Sequence, residues 1–246
     1  MSAKAGATVE LAGVVNARDL GGWATAAGRV RRGQLYRSGA LHGATSADVA
    51  RLRDDLGVRW IVDLRGSREI ELDGLGALAA PPVHHLSLSL LEGASDPARA
   101  ATLLERYLEI LERAGGPLAH LLEMLANTSD PVLVHCFAGK DRTGVVAAVV
   151  LGVLGVADSD IVADYARTRE QLPAIRASLE ASRAFAEVID RFPPDTLHAD
   201  PQTMERFLAE VRGRFGGMKG YVRSIGVAER TLSTLAERLI EAPARA

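Results

Sequence analysis

One apolar run in the second half of the chain constrains the fold more than any other feature. Residues 144–157, GVVAAVVLGVLGVA, contain no charged side chain until the run ends, and the run is shorter than the roughly 20 residues that span a bilayer. It predicts a helix over residues 143–154 in the core of a folded domain. The apolar residues 131–135, PVLVH, precede it and predict a buried strand.

The composition is that of a folded globular protein and argues against nucleic acid as a partner. The chain has 246 residues, of which 48% are hydrophobic and 24% charged. This length suits one domain over residues 1–246. The 29 Lys and Arg residues against 31 Asp and Glu residues give a net charge of -2. Because a surface that binds a polyanion carries excess positive charge, we do not expect a nucleic acid partner.

The first residues and the single cysteine together predict a cytoplasmic protein. Residues 1–22 contain no sustained apolar segment of the kind found in a signal peptide, and no transmembrane segment is predicted elsewhere. One cysteine cannot form an internal disulfide bond, which fits a reducing compartment. Export by a route that needs no signal peptide stays open.

Strand and helix patterns alternate along the first half of the chain, and helices fill the second half. Apolar runs predict strands, and segments bounded by capping residues, Gly or Pro predict helices. The pattern indicates an α/β fold with a central, mostly parallel sheet and a helical C-terminal half packed on one face. Strands are expected over residues 33–38, 58–64, 83–88 and 131–135. Helices are expected over residues 45–57, 97–113, 117–126, 143–154, 161–172 (capped by Asp158), 173–191, 201–215 and 227–241.

The only cysteine, Cys136, lies where the predicted strand 131–135 ends. A short loop between a strand and a helix directs backbone N–H groups inward and forms an anion-binding nest, to which the positive end of the helix dipole adds. In that field a thiol loses its proton more readily, and the thiolate is the nucleophilic form. The pattern predicts a nucleophilic cysteine beside a bound anion.

Arg142 follows Cys136 by six positions, and we expect its guanidinium to turn back over the nest. The planar fork of an arginine matches two oxygens of a phosphate group. Gly139 allows a tight turn, Gly144 allows the helix to pack closely on the strand, and the Thr143 hydroxyl can donate to the sulfur. The predicted phosphate-binding residues are Phe137, Ala138, Gly139, Lys140, Asp141 and Arg142.

Other interpretations of this loop explain less of it. A buried structural cysteine would account for Cys136 alone, without the lysine, arginine and glycine beside it. A Walker A loop needs a glycine where Val134 stands and a Ser or Thr where Asp141 stands. A zinc site needs further ligands at regular spacing. The six histidines are instead scattered along the chain, as His42, His84, His85, His120, His135 and His198.

Residues 135–144, HCFAGKDRTG, resemble the H-C-x5-R-[ST] signature of the protein tyrosine phosphatase superfamily. The form C-x-x-G-K-D-R-T-G is similar to that of the bacterial atypical tyrosine phosphatases, a group that includes a secreted mycobacterial phosphatase with dual tyrosine and phosphoinositide specificity. The likeness extends from about residue 16 to about residue 232. It includes blocks at residues 16–22 (NARDLGG), 36–39 (YRSG), 62–65 (VDLR, followed by Glu69), 161–165 (IVADY) and 217–223 (GMKGYVR).

The resemblance implies a dual-specificity phosphatase fold and a two-step hydrolysis of phosphoric monoesters. Cys136 would attack phosphorus and form a phosphocysteine, while Arg142 and the loop N–H groups would hold the phosphoryl oxygens. It implies phosphorylated protein or small-molecule substrates, phosphate or another oxyanion in the loop, and neither metal nor cofactor. Around the loop, His135 lies beside the thiol, and Arg18 and Asp19 are expected to brace the loop.

The sequence leaves the general acid open among three aspartates. Asp141 lies inside the loop, and Asp63 ends a predicted strand, where ligands gather in parallel sheets. Asp96 lies roughly where dual-specificity phosphatases carry their acid. We place Asp141 first and Asp63 second. The alternative role of Asp141 is to orient the neighbouring arginine, and that of Asp63 is an ion pair with Arg65 or Arg18.

Substrate selection is also open from the sequence. Lys140 either attracts a second phosphate group or braces the loop through an ion pair. A phosphotyrosine phosphatase that tolerates phosphoserine, phosphothreonine or phosphoinositides is expected, and a dedicated phosphatase of inositol, nucleotide or other metabolite phosphates is the alternative. A phosphate-binding pseudophosphatase usually lacks the cysteine or the arginine, and both are present here. Residues 90–113 stand where lipid-active relatives carry a lid insertion, but this segment is shorter than that insertion. We therefore expect lid gating to be reduced or absent.

Overall fold

A five-stranded sheet lies at the centre of the chain. The computed structural model describes residues 5–91, 102–186, 189 and 194–242. Its strands are β1 (Arg18–Asp19), β2 (Ala24–Thr25), β3 (Gly28–Val30), β4 (Leu35–Ser38), β5 (Trp60–Asp63), β6 (His84–Ser87), β7 (Val132–His135) and β8 (Ile240–Glu241). The central sheet has the order β1–β4–β7–β5–β6, in which β1 is antiparallel to β4 and the other neighbours are parallel. Strands β2, β3 and β8 form a small antiparallel sheet.

Helices connect these strands and fill the second half of the chain. The first, α1, begins after Thr45, whose side chain forms a reciprocal capping box with Asp48. It continues as a π-helical turn over Arg51–Asp55. The helices are α1 (Ser46–Ala50), α2 (Ser67–Asp73), α3 (Leu103–Arg113), α4 (Gly115–Asn127), α5 (Asp141–Leu154), α6 (Asp158–Ala166), α7 (Leu172–Ala181), α8 (Pro201–Phe215), α9 (Met218–Ser224) and α10 (Glu229–Leu239).

The predicted fold class is confirmed, and the four predicted strands are present as β4 to β7. Several helix predictions were wrong in detail. Asp158 is the first residue of α6 rather than its cap, since the extended backbone of Ala157 precedes the helix, and the Asp158 carboxylate pairs with Arg212. The segments expected as helices over residues 161–172 and 173–191 leave the α-helical conformation after Ala166 and Ala181. The last helix stops at Leu239, since the next two residues pair with β3 as β8.

Alternate side chains of the central strands pack into two hydrophobic cores, one on each face of the sheet. Val132 and Val134 of β7 belong to the larger core, which also contains side chains of α3, α4, α5, α8 and α10, whereas Leu133 belongs to the smaller core. Strand β5 divides in the same way, with Val62 in the larger core and Ile61 in the smaller. This period of two is that of a sheet covered on both faces. Helices α5, α6, α8, α9 and α10 therefore pack on one face, as predicted, whereas α7 packs in a separate cluster with Ala40 and Phe137.

Helix α5 is buried along most of its length, as its apolar sequence predicted. The side chains of residues 143–151 are all buried, because α5 lies between the central sheet and α3, α6 and α9. The helix begins at Asp141, two residues earlier than expected. In the part of the chain that the structure describes, no helix is long and apolar enough to cross a membrane.

Candidate active site

The loop from Cys136 to Lys140 leaves the carboxyl end of the central strand β7 and enters α5. Strands β4 and β5 flank β7, so Ser38 and Asp63 lie beside His135 at the same edge of the sheet. Cys136 is only 2% exposed. The loop turns where a parallel sheet gathers ligands, at the N-terminus of a helix whose first N–H groups are free to bind an anion.

Gly139 is the residue that lets this loop turn. Its φ of 64° lies in the left-handed region, and an added Cβ would lie 2.5 Å from the carbonyl carbon of Ser38. Any other residue would meet the backbone of the neighbouring strand. The tight turn expected at Gly139 from the sequence is therefore present, and it brings the loop against β4.

A cleft of about 970 Å³ opens above the loop. The loop contributes Cys136, Phe137, Ala138, Lys140, Asp141 and Arg142 to its lining. Cationic residues in the cleft beyond the loop are Arg68, Arg106 and Arg176, and apolar lining residues include Leu91, Leu103, Leu172, Ile175, Leu179, Phe185 and Leu197. The predicted phosphate-binding residues are thus brought together, with Gly139 turning beneath them.

Glu69 holds Arg142 in place at the floor of the cleft. The two terminal nitrogens of Arg142 donate to the two carboxylate oxygens of Glu69 at 2.5 and 2.8 Å. Glu69 also accepts from the backbone N–H of Gly66 at 2.9 Å, which fixes the carboxylate at the start of α2. Burial opposes the charge of Arg142, but the Glu69 carboxylate outweighs it and raises the pKa of Arg142 above its usual value. The guanidinium is therefore charged and oriented before any substrate arrives.

Asp141 projects from the first turn of α5 and is held through one oxygen. Its Oδ1 accepts from the hydroxyl of Tyr107 at 2.7 Å and from Nζ of Lys140 at 2.6 Å. The Tyr107 hydroxyl also contacts that of Tyr165 at 2.7 Å. Within the described part of the chain, Oδ2 of Asp141 has no hydrogen bond, and the side chain is 26% exposed. This oxygen is free to face a ligand in the cleft.

Lys140 is tied to the same carboxylate and is itself buried. Its side chain is 3% exposed, and it lines the cleft at the side of the loop. Burial alone would lower the pKa of Lys140, but the neighbouring Asp141 carboxylate outweighs burial and raises the pKa. The ion pair matches the loop-bracing role that the sequence left open.

Asp63 does not line the cleft, contrary to the role in acid catalysis that the sequence allowed. It is 0% exposed, and it accepts from the backbone N–H of Arg65 at 3.0 Å and from the Arg65 guanidinium at 2.7 Å. The ring nitrogens of His135 and His85 lie 3.6 and 3.5 Å away. Burial would raise the pKa of Asp63, but His135, His85 and Arg65 together hold it far below its usual value. A buried carboxylate that stays ionised has no proton to give.

The other residues that were expected to support the loop or to act as the acid differ in whether they contact the loop. His135 is buried, its Nδ1 lies 3.1 Å from the carbonyl oxygen of Cys136, and burial lowers its pKa to about 4. The hydroxyl of Thr143 is buried and has no partner among the described residues. Asp19 does not reach the loop, because its carboxylate accepts from the N–H groups of Gly21 and Gly33. Asp96 lies outside the described residues.

Arg18 acts on the loop through other residues. Its guanidinium pairs with Asp164 and donates to Oδ1 of Asn16, and the amide nitrogen of Asn16 donates to two carbonyls of the loop. Asn16, Asp164 and Glu69 lie in the sequence blocks that resemble other phosphatases, but no role was predicted for them. Tyr107 lies outside every such block, and nothing in the sequence distinguishes it from a core aromatic residue.

One wall of the cleft is formed by α7 and by Ala184 and Phe185, which follow it. Phe185 packs edge-on against Phe137 of the loop, with ring centroids 4.6 Å apart. Asp73 holds the segment after α7 in place. Its carboxylate accepts from the hydroxyl of Ser182 at 2.7 Å and from the N–H of Arg183 at 2.8 Å. The expectation that lid gating is reduced or absent concerned residues 90–113, of which residues 92–101 lie outside the described residues. It stays a prediction, and Leu91, Thr102, Leu103 and Arg106 of the same segment also line the cleft.

Comparison with known proteins identifies the family of this chain. The tyrosine phosphatase family matches residues 9–241. The chain is 30% identical over 270 residues to the triple specificity protein phosphatase PtpB of Mycobacterium tuberculosis. This alignment covers 92% of this chain and 96% of PtpB. It is 33% identical over 224 residues to a putative tyrosine-protein phosphatase of Cupriavidus necator, over 85% of this chain and 81% of the relative.

Among solved structures, TpbA of P. aeruginosa is 20% identical and has a TM-score of 0.35, with 82% of this chain and 96% of TpbA covered. A likeness this weak supports no statement about the present chain. The family match and the loop define the protein as a phosphatase, a hydrolase that works through a cysteine. The chain belongs to the tyrosine phosphatase family.

Proposed function

We propose that the protein hydrolyses phosphotyrosine, with tolerance for phosphoserine, phosphothreonine and phosphoinositides, through a phosphocysteine formed on Cys136. The observation that carries the proposal is the charged, oriented Arg142 beside Cys136 at the floor of a largely apolar cleft. The apolar wall suits the ring of an aryl ester. The name of the PtpB relative, which includes triple specificity, supports the broader tolerance.

The first step transfers the phosphoryl group to sulfur. The thiolate of Cys136 attacks phosphorus, the S–P bond forms, and the P–O bond to the leaving alcohol breaks. The positive N-terminus of α5 and the nearby Arg142 stabilise both the thiolate and the charge that develops on the phosphoryl oxygens. In the second step a water molecule attacks phosphorus, the S–P bond breaks, and inorganic phosphate leaves with the thiolate restored.

Asp141 supplies the proton in this proposal. It protonates the leaving oxygen in the first step and, as the carboxylate, accepts a proton from water in the second. Its support is geometric: Asp141 lines the cleft within the loop, and its Oδ2 is not used by any described residue. Asp63 serves instead as a buried partner of Arg65.

A dedicated phosphatase of polyphosphorylated metabolites is the second candidate. Arg68, Arg106 and Arg176 line the cleft beyond Arg142 and offer charge to further phosphate groups. Two of them are already engaged, since Arg106 pairs with Glu109 and Arg176 with Glu180. A pseudophosphatase is disfavoured, because the cysteine and the arginine are both present and adjacent to the cleft.

A turnover panel tests the proposal. Phosphotyrosine peptide, phosphoserine peptide, phosphoinositide and inositol phosphates would be compared with and without a chelator. We expect the highest kcat/KM with phosphotyrosine and no effect of the chelator. Cys136→Ser should abolish turnover yet still bind phosphate or vanadate at the loop. Full activity of Cys136→Ser would show that the nucleophile is another residue, and a strong preference for inositol phosphates would favour the second candidate.

We also propose that residues 1–246 form one phosphatase domain and that the protein works in the cytoplasm. The two cores share the one central sheet, which supports a single folding unit. A reducing compartment keeps a catalytic thiol active, which supports the location. A single cooperative unfolding transition and fractionation of the native host would test the two statements.

A further inference from the structure

The carbonyl oxygens on the rear side of the nucleophile loop are held by side chains from far away in the sequence. A nest binds an anion only if its N–H groups point inward, which turns the carbonyls of the same peptides away from the anion. The amide nitrogen of Asn16 donates to the carbonyl of Ala138 at 3.1 Å and to that of Gly139 at 3.0 Å. Arg37 donates to the same Gly139 carbonyl at 2.7 Å.

We propose that Asn16 is a positioning residue for phosphate binding, because it keeps these two carbonyls turned away from the nest. Asn16 is not among the residues that line the cleft, so it acts only through the loop. The proposal rests on the proposed function in one respect, namely that the loop binds the phosphoryl group. It extends that function to a residue in the block at residues 16–22.

Asn16 is itself held in one orientation. Its Oδ1 accepts from Arg18 at 2.5 Å and lies 3.4 Å from the Thr168 hydroxyl, so the amide nitrogen must face the loop. Its φ of 59° places it in the left-handed region, where non-glycine residues are uncommon and asparagine is better tolerated than most. Such a conformation persists only where the surrounding contacts fix it.

Asp164 anchors the cationic part of this support. Its two carboxylate oxygens accept from Arg18 at 2.8 Å and from Arg37 at 2.6 Å, and all three side chains are at most 4% exposed. Burial would raise the pKa of Asp164, but the two arginines lower it to about 2. Burial lowers the pKa of Arg37 to about 10, so it still carries its charge at neutral pH. One positive charge in excess therefore remains behind the loop that binds the phosphate dianion.

The energetic consequence is preorganisation of the nest. Without Asn16 the Ala138 carbonyl loses its donor, whereas Arg37 still donates to the Gly139 carbonyl. The released carbonyl can rotate toward the cleft, where its oxygen would repel the phosphoryl oxygens and remove an N–H from the nest. Fixed donors avoid this rearrangement during the reaction. The loss should therefore affect anion binding more than folding.

Asn16→Gly is the primary test, because glycine accepts the left-handed backbone and lacks the amide. Asn16→Asp is the second, because it keeps the Arg18 contact but cannot donate to the carbonyls. Asp48→Asn is the matched control. Asp48 accepts from the N–H groups of Ala12 and Gly13, so it fixes the same N-terminal segment without contacting the loop. Each full-length variant would be measured for vanadate dissociation constant, kcat, KM and melting temperature.

We expect both Asn16 variants to weaken vanadate binding and lower kcat/KM about 10- to 100-fold, the range for a lost hydrogen bond to a buried group. Asp48→Asn should lower the melting temperature and leave vanadate affinity within about twofold of the wild type. The proposal is overturned if Asn16→Gly and Asn16→Asp bind vanadate normally, or if Asp48→Asn weakens binding as much. Turnover by the wild-type protein tests the proposed function separately, since anion affinity is measured without a substrate.

Discussion

The hydroxyl of Tyr107 donates to Oδ1 of Asp141, the same oxygen that accepts from Lys140. Both donors approach one side of the carboxylate and leave Oδ2 as the oxygen that can carry a proton into the cleft. Tyr107 is completely buried, and the charge of Asp141 adds to burial in raising the pKa of Tyr107 well above its usual value. The tyrosine therefore stays protonated and keeps donating at neutral pH.

Asp141→Asn should reduce turnover in proportion to how much the leaving group needs a proton. We expect a loss of about 100-fold or more with alkyl phosphates and at most about tenfold with an activated aryl phosphate, because the departing aryl oxygen hardly needs a proton. Steady-state kinetics on a series of esters with different leaving groups measures this. The alkaline limb of the pH–rate profile should flatten in the variant.

Asp63→Asn is the matched control for that experiment. It leaves Arg65 buried without its charged partner, so the free energy of unfolding should fall by about 3–5 kcal/mol. The loss of activity relative to the wild type should be the same for alkyl and aryl phosphates. If Asp63→Asn gives the leaving-group dependence and Asp141→Asn does not, the roles of the two aspartates are reversed.

Tyr107→Phe should lower turnover of alkyl phosphates more than turnover of an activated aryl phosphate. The Tyr107 hydroxyl is one of the two donors that hold Oδ1 of Asp141, so its loss leaves the proposed proton donor less well oriented. We expect kcat to fall about tenfold with alkyl phosphates and about twofold or less with the aryl ester. Tyr165→Phe, one contact further away, should give a smaller loss in the same direction. An unchanged kcat of Tyr107→Phe with alkyl phosphates would exclude this role.

Glu69→Gln should impair the binding and use of phosphate without unfolding the protein. The variant keeps the shape of the side chain but loses the charged, two-point contact that orients Arg142. We expect kcat/KM to fall about 10- to 100-fold, as for a small misplacement of a catalytic group. Glu210→Gln removes an exposed ion pair to Arg214 and should leave kcat/KM unchanged. Equal losses in both variants would contradict the assignment.

His135 should make the protein less stable as the pH falls from about 6.5 to about 4. Its pKa in the folded state is lowered to about 4, against about 6.5 in an unfolded chain, so the unfolded state binds more protons in this interval. Stability therefore rises with pH across the interval and levels off above it. His135→Asn should flatten the dependence of the urea midpoint on pH. Because burial also lowers the pKa of His42, His42→Asn is the comparison for a second histidine.

Mild peroxide should inactivate the enzyme through Cys136. The chain contains no second cysteine, so no intramolecular disulfide can form. Mass spectrometry should find sulfenic acid, a cyclic product with a backbone nitrogen, or a disulfide between two molecules. Bound vanadate should slow the inactivation, because it covers the sulfur. A thiol that stays unmodified while activity is lost would show that oxidation acts elsewhere.

The nucleophile loop was largely predictable because its signals are local. A short apolar strand, the glycine that turns left-handed and a helix that is apolar from Gly144 onward all fall between residues 131 and 157. The alternation that divides Val132 from Leu133 between two cores belongs to the same stretch. Short-range patterns of this kind also predicted β5 and β7 as compact apolar runs, whereas β4 and β6 contain charged or polar residues and gave weaker signals.

The surroundings of the loop were less predictable because they depend on contacts between distant segments. In the sequence, Tyr107 resembles any other apolar position of an amphipathic helix. Its contact with Asp141 depends on the packing of α3 beside α5. Asp63 does end a strand at the edge where ligands gather, but Arg65 folds back onto its carboxylate and withdraws it from the cleft. The short strands β1 to β3 have too few residues to show a period.

Asp164 and Tyr165 are consecutive in α6, yet they serve opposite sides of the site. Consecutive residues of an α-helix point about 100° apart, so one turn directs Asp164 to Arg18 and Arg37 and Tyr165 to Tyr107. The support of the rear of the loop, through Arg18 and Arg37, and the support of Asp141, through Tyr107, are therefore both set by one helical turn of α6. One residue inserted between Asp164 and Tyr165 would rotate one of these side chains by about 100° and break its contact.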